Sequence, residues 1–188
     1  MFVSVFFGCD NLTGQIPGAL FSNCPETTII TSCFSGCNNL TGAIPSNLFS
    51  NCPEVTSFYG CFYLCSGLTG AIPSNLFVNN SKVENFGTLF AGCYNLTGSI
   101  PSNLFANQPN VKDFSYAFTF CTKLTNLPAN LFNNNTNVEN FRRTFSNCTN
   151  LIGTAPNLWT RTNVTEYEGC FGECTKLSNY ASIPSTWK

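Results

Sequence analysis

The feature that most constrains the fold is a repeat of 26 to 28 residues that runs through the chain. Each unit has a cysteine, an aromatic residue three positions before it and a leucine three positions after it, as in Phe90, Cys93 and Leu96. The cysteines of this column are Cys9, Cys37, Cys65, Cys93, Cys121, Cys148 and Cys174. A fixed period of this length predicts a solenoid, because a unit this short buries a core only when it stacks on its neighbours.

Other positions recur with the same period and predict the path of each unit. Glycine or asparagine stands five residues after each cysteine, as at Gly98 and Asn126, and favours a left-handed turn. An apolar residue and a proline follow, as in Ile100-Pro101, and proline suits an extended segment outside a central ladder. The V-x-x-F segment, as at 83–86, is the predicted strand. The stacked units would then bury a continuous core of Val, Phe, Leu and Ile.

The unit F-x-x-C-x-x-L-T-G-x-I-P, preceded by V-x-x-F, resembles the BspA-like leucine-rich repeats and the related DUF285-type repeats of bacterial surface proteins. In one unit it is carried by Val83, Phe86, Phe90, Cys93, Leu96, Gly98, Ile100 and Pro101. Plant-type repeats share L-T-G-x-I-P, as at 40–45, but their units have about 24 residues and lack the F-x-x-C element. We therefore favour the bacterial type, and the resemblance covers essentially the whole chain.

The resemblance implies a right-handed leucine-rich-repeat solenoid with one parallel β-sheet face and extended or short helical return segments. We expect about six to seven repeats of 26–28 residues in a single domain over residues 1–188. Because the first residues already follow the repeat, we expect the chain to be a fragment of a longer protein. Members of the family are linked to display on a cell surface, to adhesion and to binding of host or matrix proteins.

Composition excludes several classes of function. Only 9% of the residues are charged and the formal net charge is −1, so the chain lacks the basic surface that nucleic acids require. No run of 18 or more apolar residues occurs, and we predict no transmembrane segment in this chain. The absence of histidine excludes Cys-His and Ser-His-Asp sites within it. We predict a protein that is not an enzyme and that has no cofactor and no metal.

The cysteine column is interpreted as a structural ladder of small buried side chains. The other cysteines leave disulfides open. Cys24 and Cys52 share one column, and Cys33 and Cys61 share another. Stacked positions lie about 4.8 Å apart, within the usual Cα–Cα range of about 4.4–6.8 Å, so both pairs are candidates. Zinc is disfavoured, because histidine is absent and acidic residues are not clustered near the C-x-x-x-C pairs.

Residues around the predicted strand vary from unit to unit, whereas the core columns do not. Solenoids use the sheet face as an extended recognition surface, and Tyr and Arg are favoured anchors there. The candidate partner-binding residues are Tyr59, Lys112, Tyr116, Arg142, Arg143 and Glu168. We predict a recognition module of an extracellular or cell-surface protein, of bacterial origin, that binds a protein or glycan on a host cell, matrix or neighbouring cell. A structural spacer or stalk, or a receptor-binding part of a phage or injection-system fibre, remains the alternative; the sequence does not determine the oligomeric state.

Overall fold

The computed structural model describes residues 1–188 as a stack of coils joined by short parallel strands. The strands are β1 (Phe2–Val3), β2 (Ile30–Thr31), β3 (Gly70–Ala71), β4 (Leu96–Ser99), β5 (Leu124–Leu127) and β6 (Ile152–Gly153). Short 3-10 helices span Leu158–Thr160, Tyr180–Ser182 and Ser185–Trp187. β1 pairs with β2, and β3 to β6 pair in chain order, every pair being parallel. The chain is thus a leucine-rich-repeat solenoid, as predicted.

The coils are numbered 1 to 7, and each begins one residue before its first core residue; these core residues are Phe2, Ile30, Phe58, Phe86, Phe114, Phe141 and Tyr167. Adjacent coils pair at two places. One is a row of single-residue parallel bridges through Ile29, Ser57, Asn85, Asp113, Asn140 and Glu166. The other is the L-T-G region, where β3 to β6 form. The V-x-x-F segments that the sequence predicts as strands therefore contribute single bridges, and the longest strands lie after the cysteines instead.

The segment between the two phenylalanines of each coil is a succession of tight turns. In coil 4 the N–H groups of Phe86 and Phe90 donate to the carbonyls of Asp113 and Ala117 in coil 5, at 2.9 and 2.8 Å. Between them, the N–H of Leu89 closes a turn on the carbonyl of Phe86 at 3.2 Å. Because every second N–H is used within the coil, the backbone cannot form a continuous strand here.

The predicted left-handed turn after the cysteine occurs where that position is glycine. Gly98 has φ 78°, and Gly14, Gly42, Gly70 and Gly153 are also left-handed. The prediction is wrong for the two asparagines. Asn126 lies inside β5 and Asn179 has φ −106°. A side chain with a Cβ pays a steric penalty in the left-handed region, and the backbone avoids it here by extending.

The interior consists of aromatic columns that run through the coils. Phe34, Phe62, Phe90 and Phe118 stack ring on ring with centroids 5.6 Å apart at each step. A second column, which includes Phe77 and Phe105, interleaves with the first core residues at 4.5 to 5.0 Å. All these rings belong to one continuous apolar cluster. Each coil therefore buries its core only against its neighbours, as the period required.

The cysteines of the repeated column form hydrogen bonds between coils. The Sγ of Cys93 donates to the carbonyl of Phe62 in the preceding coil at 3.0 Å, and Cys37, Cys65, Cys121, Cys148 and Cys174 make the equivalent bond at 2.9 to 3.1 Å. Cys9 has no coil before it in this chain and is exposed. The thiol thus fills space and satisfies a loop carbonyl, two tasks that a hydrocarbon side chain of the same size would not combine.

The cysteine pairs for which disulfides were left open are free thiols in this structure. These are Cys24 with Cys52 and Cys33 with Cys61. Cys52 directs its Sγ at the carbonyl of Phe21 at 3.8 Å. In later coils the same column is occupied by Asn80, Gln108 and Asn135, whose amides donate to the equivalent carbonyls at 2.6 to 3.2 Å. The column therefore supplies donors to a loop, whichever residue occupies it.

At the C-terminal end of the stack the chain turns back on the last coil. The carbonyls of Thr186 and Trp187 accept hydrogen bonds from the N–H groups of Gly169 and Phe171 at 3.2 and 2.8 Å. The Trp187 side chain stacks on Tyr167 with centroids 4.9 Å apart.

No helix in the structure has the length and apolar character needed to span a bilayer.

Candidate functional site

A groove of about 630 Å³ runs across the coils over the turn segments. It extends from coil 1 to coil 6, and five steps of about 4.8 Å give it a length of about 24 Å. Its side chains come mainly from the residues that follow the two core phenylalanines of each coil by one or two positions. The aromatic residues that line it are Phe7, Tyr59, Tyr63, Tyr94, Tyr116 and Phe120.

The structure brings together three of the six predicted binding residues. Tyr59, Tyr116 and Arg143 line the groove, although they lie in coils 3, 5 and 6. Lys112, Arg142 and Glu168 do not line it. Arg142 pairs with Glu168 at 3.5 Å in the next coil, and both side chains are well exposed; Lys112 is exposed in coil 4. The groove therefore covers only half of the predicted set.

The groove coincides with backbone that is held in the left-handed region at two positions in every coil. In coils 1 to 4 and 7, glycine occupies one of the two positions. In coils 5 and 6 neither position is glycine, and the residues are Tyr116 (φ 56°), Phe120 (φ 61°), Arg143 (φ 52°) and Asn147 (φ 62°). A side chain in this region costs about 1–2 kcal/mol relative to the right-handed conformation. The strain of the chain is thus concentrated in the part of the groove with the largest side chains.

Large side chains in the groove lie beside glycines of the next coil. A Cβ placed on Gly87 would meet the Tyr59 ring at 3.0 Å, and one on Gly92 would meet the Leu64 side chain at 2.6 Å. Arg143 extends over Gly169 in the same manner, at 3.4 Å. The alternation of large residues and glycine between coils therefore gives the groove its uneven surface. A uniform residue at each position would give a flat surface.

Short side-chain bonds hold the backbone that carries these residues. Asn85 and Asp113 accept the N–H two residues later in their own coils, each at 2.7 Å, and Asn140 does so at 2.9 Å. Asn85 also donates to Asp113 across the coil boundary at 3.4 Å. Such bonds fix the first turn of the segment, so that the side chains of the groove project from a rigid support.

The chemistry of the groove is aromatic and hydroxylic. Arg143 is its only lining residue with a formal charge at pH 7. Ser32 and Thr88 are half-buried in the lining, and their hydroxyls bond to no protein atom. Three or more Cys, Asp or Glu residues do not come together anywhere in an arrangement that could hold a metal ion. The arrangement suits a ligand with apolar faces and hydrogen-bonding edges.

Sequence reasoning missed Phe7, Tyr63, Leu64, Tyr94 and Phe120. It sought variation around the predicted strand, whereas these residues follow the second aromatic or the cysteine of their coils. The signal was present in the repeat alignment. One column varies between glycine and larger residues, while the flanking Phe and Cys columns do not change; its members are Gly8, Gly36, Leu64, Gly92, Phe120 and Asn147.

A family described as "Mycoplasma protein of unknown function, DUF285" matches residues 4–127 and 56–185. No curated protein sequence matches the chain significantly. Among solved structures, the Arabidopsis receptor kinase HAESA, in complex with the peptide hormone IDA and the co-receptor SERK1, is 22% identical with a TM-score of 0.48. The match covers 83% of this chain and 28% of that one, so this chain spans well under half the length of HAESA.

The leucine-rich-repeat ectodomain of the Arabidopsis receptor kinase SOBIR1 is 18% identical with a TM-score of 0.40, and the match covers 88% of this chain and 70% of that one. The Drosophila Toll–Spatzle complex gives 17% identity and a TM-score of 0.33 over 92% of this chain and 27% of that one. At these TM-scores the similarities identify no ligand for this chain.

Proposed function

This chain belongs to the DUF285 family, which confirms the resemblance seen in its repeats, and we propose that it is a non-enzymatic recognition module that binds a partner through the groove over its turn segments. The partner is a protein or glycan on a host cell, matrix or neighbouring cell. The module acts in an extracellular or cell-surface protein of bacterial origin, in an adhesion-like role. The family description, which names Mycoplasma, supports the bacterial origin.

The observation that carries this proposal is the placement of large side chains where the backbone favours glycine. The same two positions hold Gly60 in coil 3 and Gly92 in coil 4, so the fold accepts glycine there. Tyr116, Phe120 and Arg143 occupy equivalent positions in coils 5 and 6 at a cost in stability. Tyr116 is half-buried and the other two are exposed, so packing does not offset that cost in full. Strained, exposed and clustered residues of this kind are typical of ligand-binding sites.

Free thiols are compatible with an extracellular location at the ten buried cysteines, whereas Cys9 is exposed and Cys24 is half-buried. Desolvation raises the pKa of Cys61, Cys121, Cys148 and Cys170 well above 9.0. Oxidation and disulfide exchange proceed through the thiolate, which is scarce when the pKa is raised. Burial therefore protects the ladder from Cys37 to Cys174 even where disulfides normally form.

The test is the binding of the labelled chain to cell monolayers and to matrix-coated surfaces. We expect the double variant Tyr116→Gly, Phe120→Gly to bind at least about tenfold more weakly, since exposed aromatic anchors dominate interface energies. The control is Val78→Ser, which changes an exposed apolar residue outside the groove and should leave binding unchanged. Glycine is used because it relieves the left-handed strain, so that a loss of binding cannot be attributed to unfolding.

Equal binding by the groove variant and the unmodified chain would contradict the proposal. A structural spacer or stalk, or part of a phage or injection-system fibre, would then be favoured, because these roles require the stacked core but no groove.

A further inference from the structure

We propose that the ligand of the groove is a neutral, linear oligosaccharide; this inference rests on the proposed function and names the class of ligand. The low charge of the groove favours a neutral ligand. Arg143 is the only charged residue in the lining, and it lies in coil 6 toward one end of the groove. A polyanionic glycan or a nucleic acid would require several cations along its length. The remaining length of the groove offers nothing to pair with a charged ligand.

The aromatic rings of the lining are partly exposed and do not stack on one another. Tyr59, Tyr63, Tyr94 and Phe120 are each 39 to 45% exposed. None of them packs against another aromatic ring, unlike the phenylalanines of the interior, which stack continuously. Each ring therefore offers a partly exposed face to the groove. A pyranose ring presents a flat patch of C–H groups that lies against such a face, and it keeps its hydroxyls at the edge for hydrogen bonding.

Hydrogen-bonding groups that lie beside the rings are available to a sugar. The unpaired hydroxyls of Ser32 and Thr88 lie in the same lining as these aromatic residues. Asn147 donates to Ser146 at 3.0 Å, and its Oδ1 accepts no bond from the protein. Each of these groups can pair with a sugar hydroxyl, which both donates and accepts.

The backbone of the groove disfavours an extended peptide as the ligand. Peptides that lie along repeats or sheet edges gain affinity from main-chain hydrogen bonds. In coil 4 the N–H groups of Phe86, Thr88, Phe90 and Gly92 donate to coil 5, and those between them close turns or bond to Asn85. The floor of this coil, from Phe86 to Cys93, therefore has no N–H free to pair with a peptide backbone. A linear sugar chain needs none, and a groove of about 24 Å accommodates several consecutive residues of a polymer.

The experiment uses the cells of the binding assay, treated with periodate to cleave vicinal diols of sugars and then reduced with borohydride. Control cells receive borohydride alone. We expect periodate to lower binding of the chain at least about tenfold, to the level of the variant Tyr116→Gly, Phe120→Gly. As a second probe, oligosaccharides released from untreated cells are separated into neutral and acidic fractions. The neutral fraction should inhibit binding and the acidic fraction should not.

Binding that survives periodate, or inhibition by the acidic fraction alone, would overturn the inference. Its failure is distinguishable from failure of the proposed function. If the groove variant loses binding to untreated cells but periodate has no effect, the groove is a binding site and its ligand is not a glycan. If the neutral fraction inhibits the unmodified chain and the groove variant equally, the sugar binds elsewhere and the inference is wrong.

Discussion

The aromatic columns of the interior and the left-handed columns of the groove lie within a few residues of each other in every coil, yet they follow opposite rules. The column that contains Phe62 and Phe90 is phenylalanine in all coils, from Phe6 to Phe171, and adjacent rings lie 5.4 to 5.7 Å apart. The left-handed columns change from glycine to leucine, tyrosine, phenylalanine or arginine. One set is uniform because each member packs on an identical neighbour; the other varies although its backbone would favour glycine throughout.

This difference distinguishes residues whose packing stabilises the stack from residues that project from the stack into the groove. An interior phenylalanine packs against the preceding and the following coil, so a substitution there disturbs the packing of both neighbours. A groove residue such as Phe120 makes few such contacts and adds local strain. Under the proposed function, stability and recognition therefore depend on different positions of the same short segment.

The largest effect that we expect comes from alkaline pH, which titrates the buried thiols of the interior. Desolvation raises the pKa of Cys33, Cys93 and Cys174 from 9.0 to about 12. Between these values the unfolded chain releases thiol protons that the folded chain retains, so the free energy of unfolding decreases as the pH rises through this window and is unaffected below it. Urea titrations at about pH 8 and about pH 10.5 should show a steep loss of stability.

The matched variant for this prediction is Cys61→Ala. The same column holds Ala117 in coil 5, so alanine fits the site. Burial raises the pKa of the Cys61 thiol well above 9.0, and removing that thiol should make the pH dependence shallower. An identical loss of stability in both proteins would show that the buried thiols are not its cause.

The substitution Phe90→Ala should cause the next largest effect. Phe90 stacks on Phe62 and Phe118 at 5.6 Å on each side and is fully buried. We expect a loss of about 3–5 kcal/mol in the free energy of unfolding, measured by urea denaturation, because truncation leaves a cavity in the column. The comparison variant Phe120→Ala, in the next coil, should change it by about 0.5 kcal/mol or less, as is usual at exposed sites. Similar losses in both variants would remove the distinction between the two sets of columns.

The smallest effect, and the one of opposite sign, is expected for Phe120→Gly. Phe120 has φ 61°, and glycine relieves the steric strain of that conformation. The free energy of unfolding should rise by about 1 kcal/mol, while binding in the cell assay falls. A stabilised variant with full binding would leave the fold description intact but would show that Phe120 serves no ligand.

Much of the interior could be predicted from the sequence. Residues such as Phe90, Cys93 and Leu96 recur at one period, and the structure places them in the continuous core. The strand prediction at V-x-x-F failed in its extent, because turns interrupt the backbone every few residues and only single bridges such as Asn85 with Asp113 remain. Half of the predicted binding residues, namely Tyr59, Tyr116 and Arg143, line the groove, but most of the lining was not predicted.

The sequence by itself determined the stacking of coils, the uniform interior and the family, because a conserved period is a one-dimensional pattern and identical residues at that period must align along the axis. Only the tertiary structure decided where the groove lies. Phe7 and Asn147 line the same groove although they are 140 residues apart in the chain. Which side chain projects into it depends on left-handed turns and on glycines in the adjacent coil, as between Tyr59 and Gly87. Those are contacts between coils, and no single repeat contains them.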